Sequence, residues 1–321
     1  MRVAILDDYQ QVALASADWP DAEYTVLTEH IARTEALVRA LESFDVIVAM
    51  RERTAFSAEL LSLLPNLRLL VTTGMGNASI DMDAARARGI TVCGTGNAKG
   101  ATAELTWALI LAVTRHIPAE DEHMKAVGRA GGAVISGGWQ HTIGTGLHGK
   151  SLGVVGLGNQ GRAVAKVGRA FGMKLLAWSQ NLDPAVAAKA HAEPVSKEKL
   201  FARADVVTVH YKLSPRSTGL IGPADLDRMK PTAYLINTSR GPIVDEAALV
   251  TALRRGMIAG AGLDVYDTEP LPLSHPLRKL DNVVLTPHLG YVTDDTYRVF
   301  FADAAGDIAA FAKGEPVRVL N

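Results

Sequence analysis

Four side chains in the second half of the 321-residue chain are of types that can do chemistry, and each comes directly after a β-type run. Arg240 closes Leu235-Ile236-Asn237-Thr238-Ser239-Arg240, ahead of Gly241. Asp264 and Glu269 lie in Gly262-Leu263-Asp264-Val265-Tyr266-Asp267-Thr268-Glu269-Pro270. His288 lies in Thr286-Pro287-His288-Leu289-Gly290, after Val283-Val284-Leu285. A guanidinium, carboxylates and an imidazole are groups that bind anions and move protons. Taken singly, His288 could be a satisfied core histidine, Glu269 a surface acid and Arg240 a partner in a structural ion pair. Their recurrence after successive strands is a more specific coincidence, because open α/β sheets bind ligands outside the carboxyl ends of their strands.

What lies at that edge is indicated upstream. The strand Leu152 to Val155 runs into Gly156-Leu157-Gly158-Asn159-Gln160-Gly161, and a helix-period segment follows from Arg162 to Phe171. In that setting Gly156 permits the tight turn and Gly158 lets a pyrophosphate approach the backbone. Gly161 removes a side chain where helix must pack on strand, and the helix N-terminus faces the phosphates. The hexapeptide alone is weak; its place between strand and helix makes it a dinucleotide signal. Eighteen residues past Gly161, where an acid normally binds the adenine ribose, stands Ser179 in Trp178-Ser179-Gln180-Asn181. No carboxylate there repels a 2′-phosphate, and no arginine follows to welcome one.

The elements that must position these groups form two α/β halves in series. Short apolar strands at Val3–Leu6, Tyr24–Leu27, Asp45–Ala49, Leu67–Val71 and Ile90–Val92 alternate with helical patterns at Thr34–Leu41, Ala58–Leu64 and Met82–Arg88. That alternation predicts a parallel sheet over residues 1 to about 98. Its fourth strand ends in Gly74-Met75-Gly76-Asn77, with Ser79 and Asp81 as candidate N-caps; an ordinary turn and a ligand loop are equally compatible with the spacing. An amphipathic helix over Ala101–Ile117, stopped by Pro118, and a polar helical segment to Val127 precede the glycine-rich stretch Gly128–Gly149. Trp139 and Leu147 are apolar anchors there, and a linker, an oligomer arm or a lid would fit. Further strands at Lys174–Trp178, Val206–His210, Ala233–Asn237, Ala259–Asp264 and Val283–Thr286 complete the second half, and Asp294–Lys313 reads as a final amphipathic helix.

Composition narrows the class. Hydrophobic residues are 48% and charged ones 21%, as in a folded globular enzyme. A net charge of -1 argues against nucleic-acid or anionic-membrane partners, and no segment is long and apolar enough to span a bilayer. The lone Cys93, after Ile90-Thr91-Val92, reads as a buried structural thiol and suits a reducing compartment. With no leader pattern before the first strand, a cytoplasmic location is expected. His116 and His123 lie on helical segments without the Cys, Asp or Glu partners of a metal site, so no metal is expected and solvent exposure is the simpler account. Asp183 before Pro184 reads as an N-cap with proline at N1 rather than a ribose ligand.

The motifs quoted above, with Gly153-Val154-Val155 ahead of the glycine loop and Gly241-Pro242-Ile243-Val244-Asp245-Glu246 after Arg240, resemble the D-isomer-specific 2-hydroxyacid dehydrogenase family over nearly the whole chain. The resemblance implies two doubly wound parallel-sheet domains. A Rossmann dinucleotide-binding domain (99–291), begun by helix Ala101–Ile117, would be inserted in a flavodoxin-like substrate domain (1–98 plus 292–321) to which the last helix returns. It also implies a substrate cleft that closes against water, a homodimer with the Gly128–Gly149 region in or near its arm, and NAD as the default cofactor, with NADP or dual use open at Ser179. By position, Arg240 would hold the substrate carboxylate and polarise the carbonyl, His288 would be the acid/base at the keto oxygen, and Glu269 would fix its tautomer. Asp264 would bind the nicotinamide carboxamide, and Gly156, Gly158, Asn159, Gln160, Gly161, Ser179, His210, Thr238, Ser239 and Thr102 fall at other cofactor positions. Met75, Gly76 and Asn77 would offer backbone N–H groups to the carboxylate, and Arg51 would reach the substrate's far end. The implied activity is interconversion of a 2-keto acid and a D-2-hydroxy acid. Its rivals are a nucleotide-sensing protein of the C-terminal-binding corepressor type, whose partner-binding tails have no counterpart after the last helix, and a phosphite- or formate-type dehydrogenase. The formate type carries glutamine where Glu269 stands.

Overall fold

The structure is a computed structural model and describes residues 1–129 and 139–321. The chain divides into two compact units, Met1–Lys99 with Val292–Asn321, and Gly100–Tyr291.

In the first unit, β1 (Arg2–Ile5), β2 (Glu23–Val26), β3 (Val46–Ala49), β4 (Leu69–Thr72) and β5 (Thr91–Gly94) form one parallel sheet in the order β2-β1-β3-β4-β5. This is the flavodoxin-like doubly wound order. The helices α1 (Thr34–Leu41), α2 (Ala58–Ser62) and α3 (Met82–Ala87) supply three of its four crossovers, and the 3-10 turn Leu14–Ser16 lies in the other. Asp81, not Ser79, caps α3: its carboxylate accepts the Ala84 N–H at 2.9 Å, while the Ser79 N–H is donated to Asn77 Oδ1. Strands β3 and β4 are buried at every position, which is why they read as unbroken apolar runs. Cys93 is fully buried, and burial pushes its thiol up to about 12, so it is inert packing.

In the second unit, α4 (Ala101–Thr114) and α5 (Ile117–Arg129) precede β6 (Ser151–Val155), α6 (Asn159–Ala170), β7 (Lys174–Trp178), α7 (Pro184–Lys189), β8 (Glu193–Pro194) and α8 (Lys197–Arg203). Then follow β9 (Val206–Val209), α9 (Pro223–Leu226), β10 (Tyr234–Asn237), α10 (Glu246–Arg254), β11 (Gly260–Leu263) and β12 (Val283–Leu285). The seven strands are parallel in the order β12-β11-β10-β9-β6-β7-β8, the dinucleotide-fold order extended by one strand. Its switch point lies between β6 and β9. The final helix, α11 (Asp294–Ala312), belongs to the first unit and packs on β4 with Phe300, Phe301, Ala304 and Ile308 fully or nearly fully buried.

Several expectations need correcting. The long helix ends at Thr114, and His116, with a left-handed backbone (φ 53°), breaks it from α5. Pro118 therefore lies in the first turn of α5, where its missing N–H costs nothing, and is not a stop signal. Helix α4 is also apolar on most faces rather than amphipathic, because it is packed between α6 and strands β10 and β11. The helix after the glycine loop begins at Asn159, not Arg162. Strand β8 went unseen because two residues, one a proline, carry no pattern; as an edge strand it tolerates that proline. Leu147 is buried in the core, but Trp139 is 77% exposed and anchors nothing there. His123 is half-buried and stacks on His141 at 4.7 Å rather than facing solvent. Residues 130–138, part of the expected arm region Gly128–Gly149, lie outside the described residues. Asp183 does cap α7, accepting the Ala185 N–H at 2.7 Å ahead of Pro184. Among the described residues no helix is long and apolar enough to cross a membrane, and no three His, Cys, Asp or Glu side chains are grouped as metal ligands.

Candidate active site

The glycine loop is built from what its residues lack. Gly156 is left-handed (φ 97°), and a Cβ there would lie 2.7 Å from the His210 carbonyl oxygen, so any side chain would strike the loop after β9. A Cβ on Gly161 would run into the Gly156 carbonyl, so its absence lets α6 close on the turn. Gly158 differs: it caps α6, and an added Cβ would meet nothing within 4 Å. No side chain caps the first amides of this twelve-residue helix, which suits an anion. Asn159 and Gln160 form the exposed first turn, with Asn159 Oδ1 accepting from Arg162.

Ser179, at the end of β7, accepts the Leu157 N–H at 3.1 Å and so ties the glycine loop to the neighbouring strand end. The Gln180 N–H is donated to the Tyr211 hydroxyl at 2.6 Å. Beside them lies a cavity of about 480 Å³ lined by Ser179, Gln180, Asn181, Ser196, Lys199 and Arg203, among others. Its one carboxylate, Glu193, is held by Arg203 through two bonds of 2.7 and 2.8 Å, which leaves Lys199 as surplus positive charge on this wall. His210 lies 2.9 Å from the Thr208 hydroxyl through Nε2. Burial pulls its pKa down to about 4, although the residue keeps some accessible surface, so at neutral pH it is an uncharged imidazole.

The loops after β10, β11 and β12 bring Arg240, Asp264, Glu269 and His288 to the carboxyl ends of three adjacent strands. His288 Nδ1 lies 2.6 Å from Glu269 Oε2, and Glu269 Oε1 accepts the Tyr266 N–H at 2.9 Å. The carboxylate is therefore gripped on one side and presented on the other. His288 has a left-handed backbone (φ 56°), costly for a non-glycine residue and concentrated at functional sites. Asp264 is fully buried. Its Oδ1 accepts from Thr286 Oγ1 (2.5 Å) and the Leu289 N–H (2.7 Å), and its Oδ2 from the Gly290 N–H (2.9 Å). Burial raises its pKa above the usual carboxylate range, against the opposite pull of these donors. Asp264 therefore pins the loop that carries His288 from both ends. Tyr266 adds a third tie, its hydroxyl donating to the Leu263 and Thr286 carbonyls.

Arg240 extends from the turn Asn237–Arg240, which Asn237 closes through the Ser239 N–H and the Arg240 carbonyl. Its Nη1 donates to the Ser239 carbonyl at 2.7 Å. Ser239 Oγ donates to the Tyr211 carbonyl. Helix α4 reaches the same loops, with Thr106 bonded to Thr238 at 2.8 Å and Thr102 donating to the Gly290 carbonyl at 2.8 Å. The polar groups of Thr102, Thr238 and Asp264, expected at the cofactor, are thus engaged with protein groups.

Within the first unit, Arg51 and the loop Gly74–Asn77 form one assembly. Arg51 is left-handed (φ 50°); its Nη1 donates to the Thr73 carbonyl at 3.0 Å, and its guanidinium occupies the space that a Cβ on Gly74 would need. Asn77 donates to the Arg51 carbonyl (2.6 Å) and to Thr72 Oγ1 (2.9 Å). Met75 is exposed and Gly76 faces open space, so this loop tip presents backbone to solvent. The backbone strain at His288 and Arg51 and the ties from Thr102 and Thr106 carry no sequence signal, since each depends on a tertiary neighbour.

The family described as D-isomer specific 2-hydroxyacid dehydrogenase, NAD binding domain, matches residues 107–290. The chain is similar to a glyoxylate reductase of Aeropyrum pernix, 37% identical over 327 residues, covering 99% of this chain and 89% of that protein. A D-3-phosphoglycerate dehydrogenase of Archaeoglobus fulgidus is 38% identical over 290 residues, but the match spans 88% of this chain and only 52% of the longer relative. The solved structure of an oxidoreductase from Ralstonia solanacearum superposes with a TM-score of 0.92 at 35% identity, covering 100% of this chain and 97% of the other.

Proposed function

The chain belongs to the D-isomer specific 2-hydroxyacid dehydrogenase family and is an NAD(P)-dependent oxidoreductase of 2-hydroxy acids; on that premise we propose that it reduces a small 2-keto acid to the D-2-hydroxy acid with His288 as proton donor. The observation that carries this reading is the 2.6 Å contact from His288 Nδ1 to Glu269 Oε2. A carboxylate that accepts from Nδ1 fixes the orientation of the ring and leaves Nε2 as its working end.

The residues present fit a nicotinamide dinucleotide, as the uncovered Gly158 backbone at the start of α6 indicates. When bound, that cofactor supplies hydride to C2 of the keto acid or takes it from the hydroxy acid. The protein does the rest. Arg240 would grip the carboxylate by paired charge-assisted bonds and draw electron density from the adjoining carbonyl. His288 Nε2 would give its proton to the carbonyl oxygen in reduction and recover it in oxidation. Asp264, fully buried and with both oxygens engaged, is better suited to hold the His288 loop than to bind a carboxamide directly. On the first unit, the exposed backbone of Met75 and Gly76, beside buried Asn77, would accept an anionic substrate group, with Arg51 locked beside it.

For the cofactor's finer identity we propose that both NADH and NADPH are used. Supporting this, Ser179 replaces a repelling acid, and Lys199 lends positive charge to the adjoining wall. We also propose a homodimer, for which exposed Trp139 and Ile143 within the expected arm region Gly128–Gly149 speak; light scattering tests it. Glyoxylate is the first substrate to try, given the match to glyoxylate reductases along most of their length. Oxidation of NADH and NADPH should follow addition of glyoxylate or hydroxypyruvate, with the D-product where C2 becomes chiral. Tight nucleotide binding without turnover of any 2-keto acid would contradict the proposal.

A further inference from the structure

We propose that Glu246 and His275 form a positioning pair that sets Glu269 against His288; the inference rests on the roles just proposed for those two residues. Glu246 opens α10, and its two carboxylate oxygens have different partners. Oε2 accepts the backbone N–H of Asp267 at 3.2 Å, and Oε1 lies 3.0 Å from His275 Nε2. His275 is held from its other side as well, because Nδ1 accepts the Leu277 N–H at 3.3 Å at the start of the 3-10 turn Pro276–Lys279. A ring nitrogen that accepts carries no proton, so the neutral ring keeps its proton on Nε2, directed at Glu246. Glu246 is thus clasped between a fixed imidazole and the Asp267 amide, two residues before Glu269.

That amide belongs to the turn on which Glu269 depends. A Cβ on Gly241, the residue after Arg240, would run into the Tyr266 carbonyl and the Asp267 nitrogen. The peptide from Tyr266 to Asp267 therefore lies between Gly241 on one side and Glu246 on the other. Glu269 returns over the same turn, anchoring Oε1 on the Tyr266 N–H and pointing Oε2 at His288. The neighbourhood is acidic. Burial raises the Asp267 pKa, and Glu246 and Asp245 raise it further. Like charges so close would turn Glu246 outward if the two N–H donors did not hold it. The side chains of His275 and Glu246 are only 16% and 20% exposed, so water has little access to replace either partner. Neither residue belongs to the reacting groups proposed above; both act through Glu269.

The test is a double-mutant cycle on kcat, with nucleotide affinity measured beside it. Glu246→Ala should lower kcat roughly tenfold to a hundredfold, the scale of a small misplacement of a catalytic group, and leave nucleotide affinity unchanged. In a Glu269→Ala background the same change should cost less than about twofold, because its only route of action is gone. His275→Leu should imitate Glu246→Ala, whereas His275→Gln, which keeps a donor for Glu246, should retain most of kcat; this pair carries the test if Glu246→Ala does not fold. Equal losses in both backgrounds, or full kcat in a folded Glu246→Ala or His275→Leu protein, would overturn the proposal. If the wild type turns over no 2-keto acid, the catalytic reading fails separately, and nitrogen NMR of the His288 ring takes over. The Nδ1 resonance should then move on Glu246→Ala only when Glu269 is present, and an unmoved resonance overturns the pair.

Discussion

The loops after β10, β11 and β12 and those after β6 and β7 stand at the same ends of one parallel sheet, yet they are built in opposite ways. After the first three strands the polar groups are spoken for: Asp264 by three donors, Glu269 by Tyr266 and His288, Thr238 and Gly290 by threonines of α4. After β6 and β7 the backbone is left uncovered at Gly158, and a cavity of about 480 Å³ opens beside Ser179. The difference follows from the two tasks. A proton donor gains rate only if it is held in place before the reaction, so its surroundings are consumed in fixing it. A nucleotide that must enter and leave needs donors the protein has not already used.

If that contrast is correct, the heaviest losses come from loosening the fixed side. Glu269→Gln retains one acceptor where two are used, so either the Tyr266 N–H or His288 Nδ1 loses its partner. Turnover should fall roughly a hundredfold with nucleotide affinity intact, as steady-state rates and fluorescence titration would show. Asp264→Asn puts an amide donor against N–H groups that need acceptors. It should cost on the order of 2 kcal/mol in denaturant unfolding and lower kcat as well. On the open side effects should be smaller and confined to binding. Ser179→Asp should shift the NADPH/NADH ratio of kcat/KM toward NADH by about tenfold, through 2′-phosphate repulsion, without altering kcat with NADH.

A last effect, on stability alone, extends the comparison to the first unit. Asp307 is as buried as Asp264, but its Oδ2 has no hydrogen-bond partner, and burial pushes its pKa from 3.8 up to about 7. The folded protein then holds a proton there that the unfolded chain has released. This group's contribution is fully present below pH 3.8 and is lost as pH rises through about 7. Asp307→Asn keeps an acceptor for Arg318 and should flatten that slope, at most about 1.4 kcal/mol per pH unit. Thermal melts at pH 5 and pH 8 would show the variant gaining more on the wild type at the higher value.

Much of this layout was legible before any coordinates. The β-type runs ending at Arg240, Asp264 and His288 are fully or partly buried strands whose apolar residues stand out, and two of the three loop glycines, Gly156 and Gly161, stand where a Cβ would collide, as their spacing implies. What stayed hidden was set by contacts between distant parts of the chain. Glu246 and His275 are 29 residues apart, and the partners of Asp264 at Thr286, Leu289 and Gly290 are 22 to 26 residues further along the chain. The break after Thr114 depends on one left-handed histidine, and β8 on pairing with β7 rather than on its own two residues. Strand order likewise arises from packing and could be inferred only through resemblance.

The most direct test of the central claim is turnover and NADH affinity measured together on His288→Ala. With the fixed loops serving chemistry and the open loop serving binding, turnover of the accepted 2-keto acid should fall by about a hundredfold or more while the NADH dissociation constant stays within about twofold of wild type. Retained turnover, or a loss of NADH affinity as deep as the loss of turnover, would contradict it.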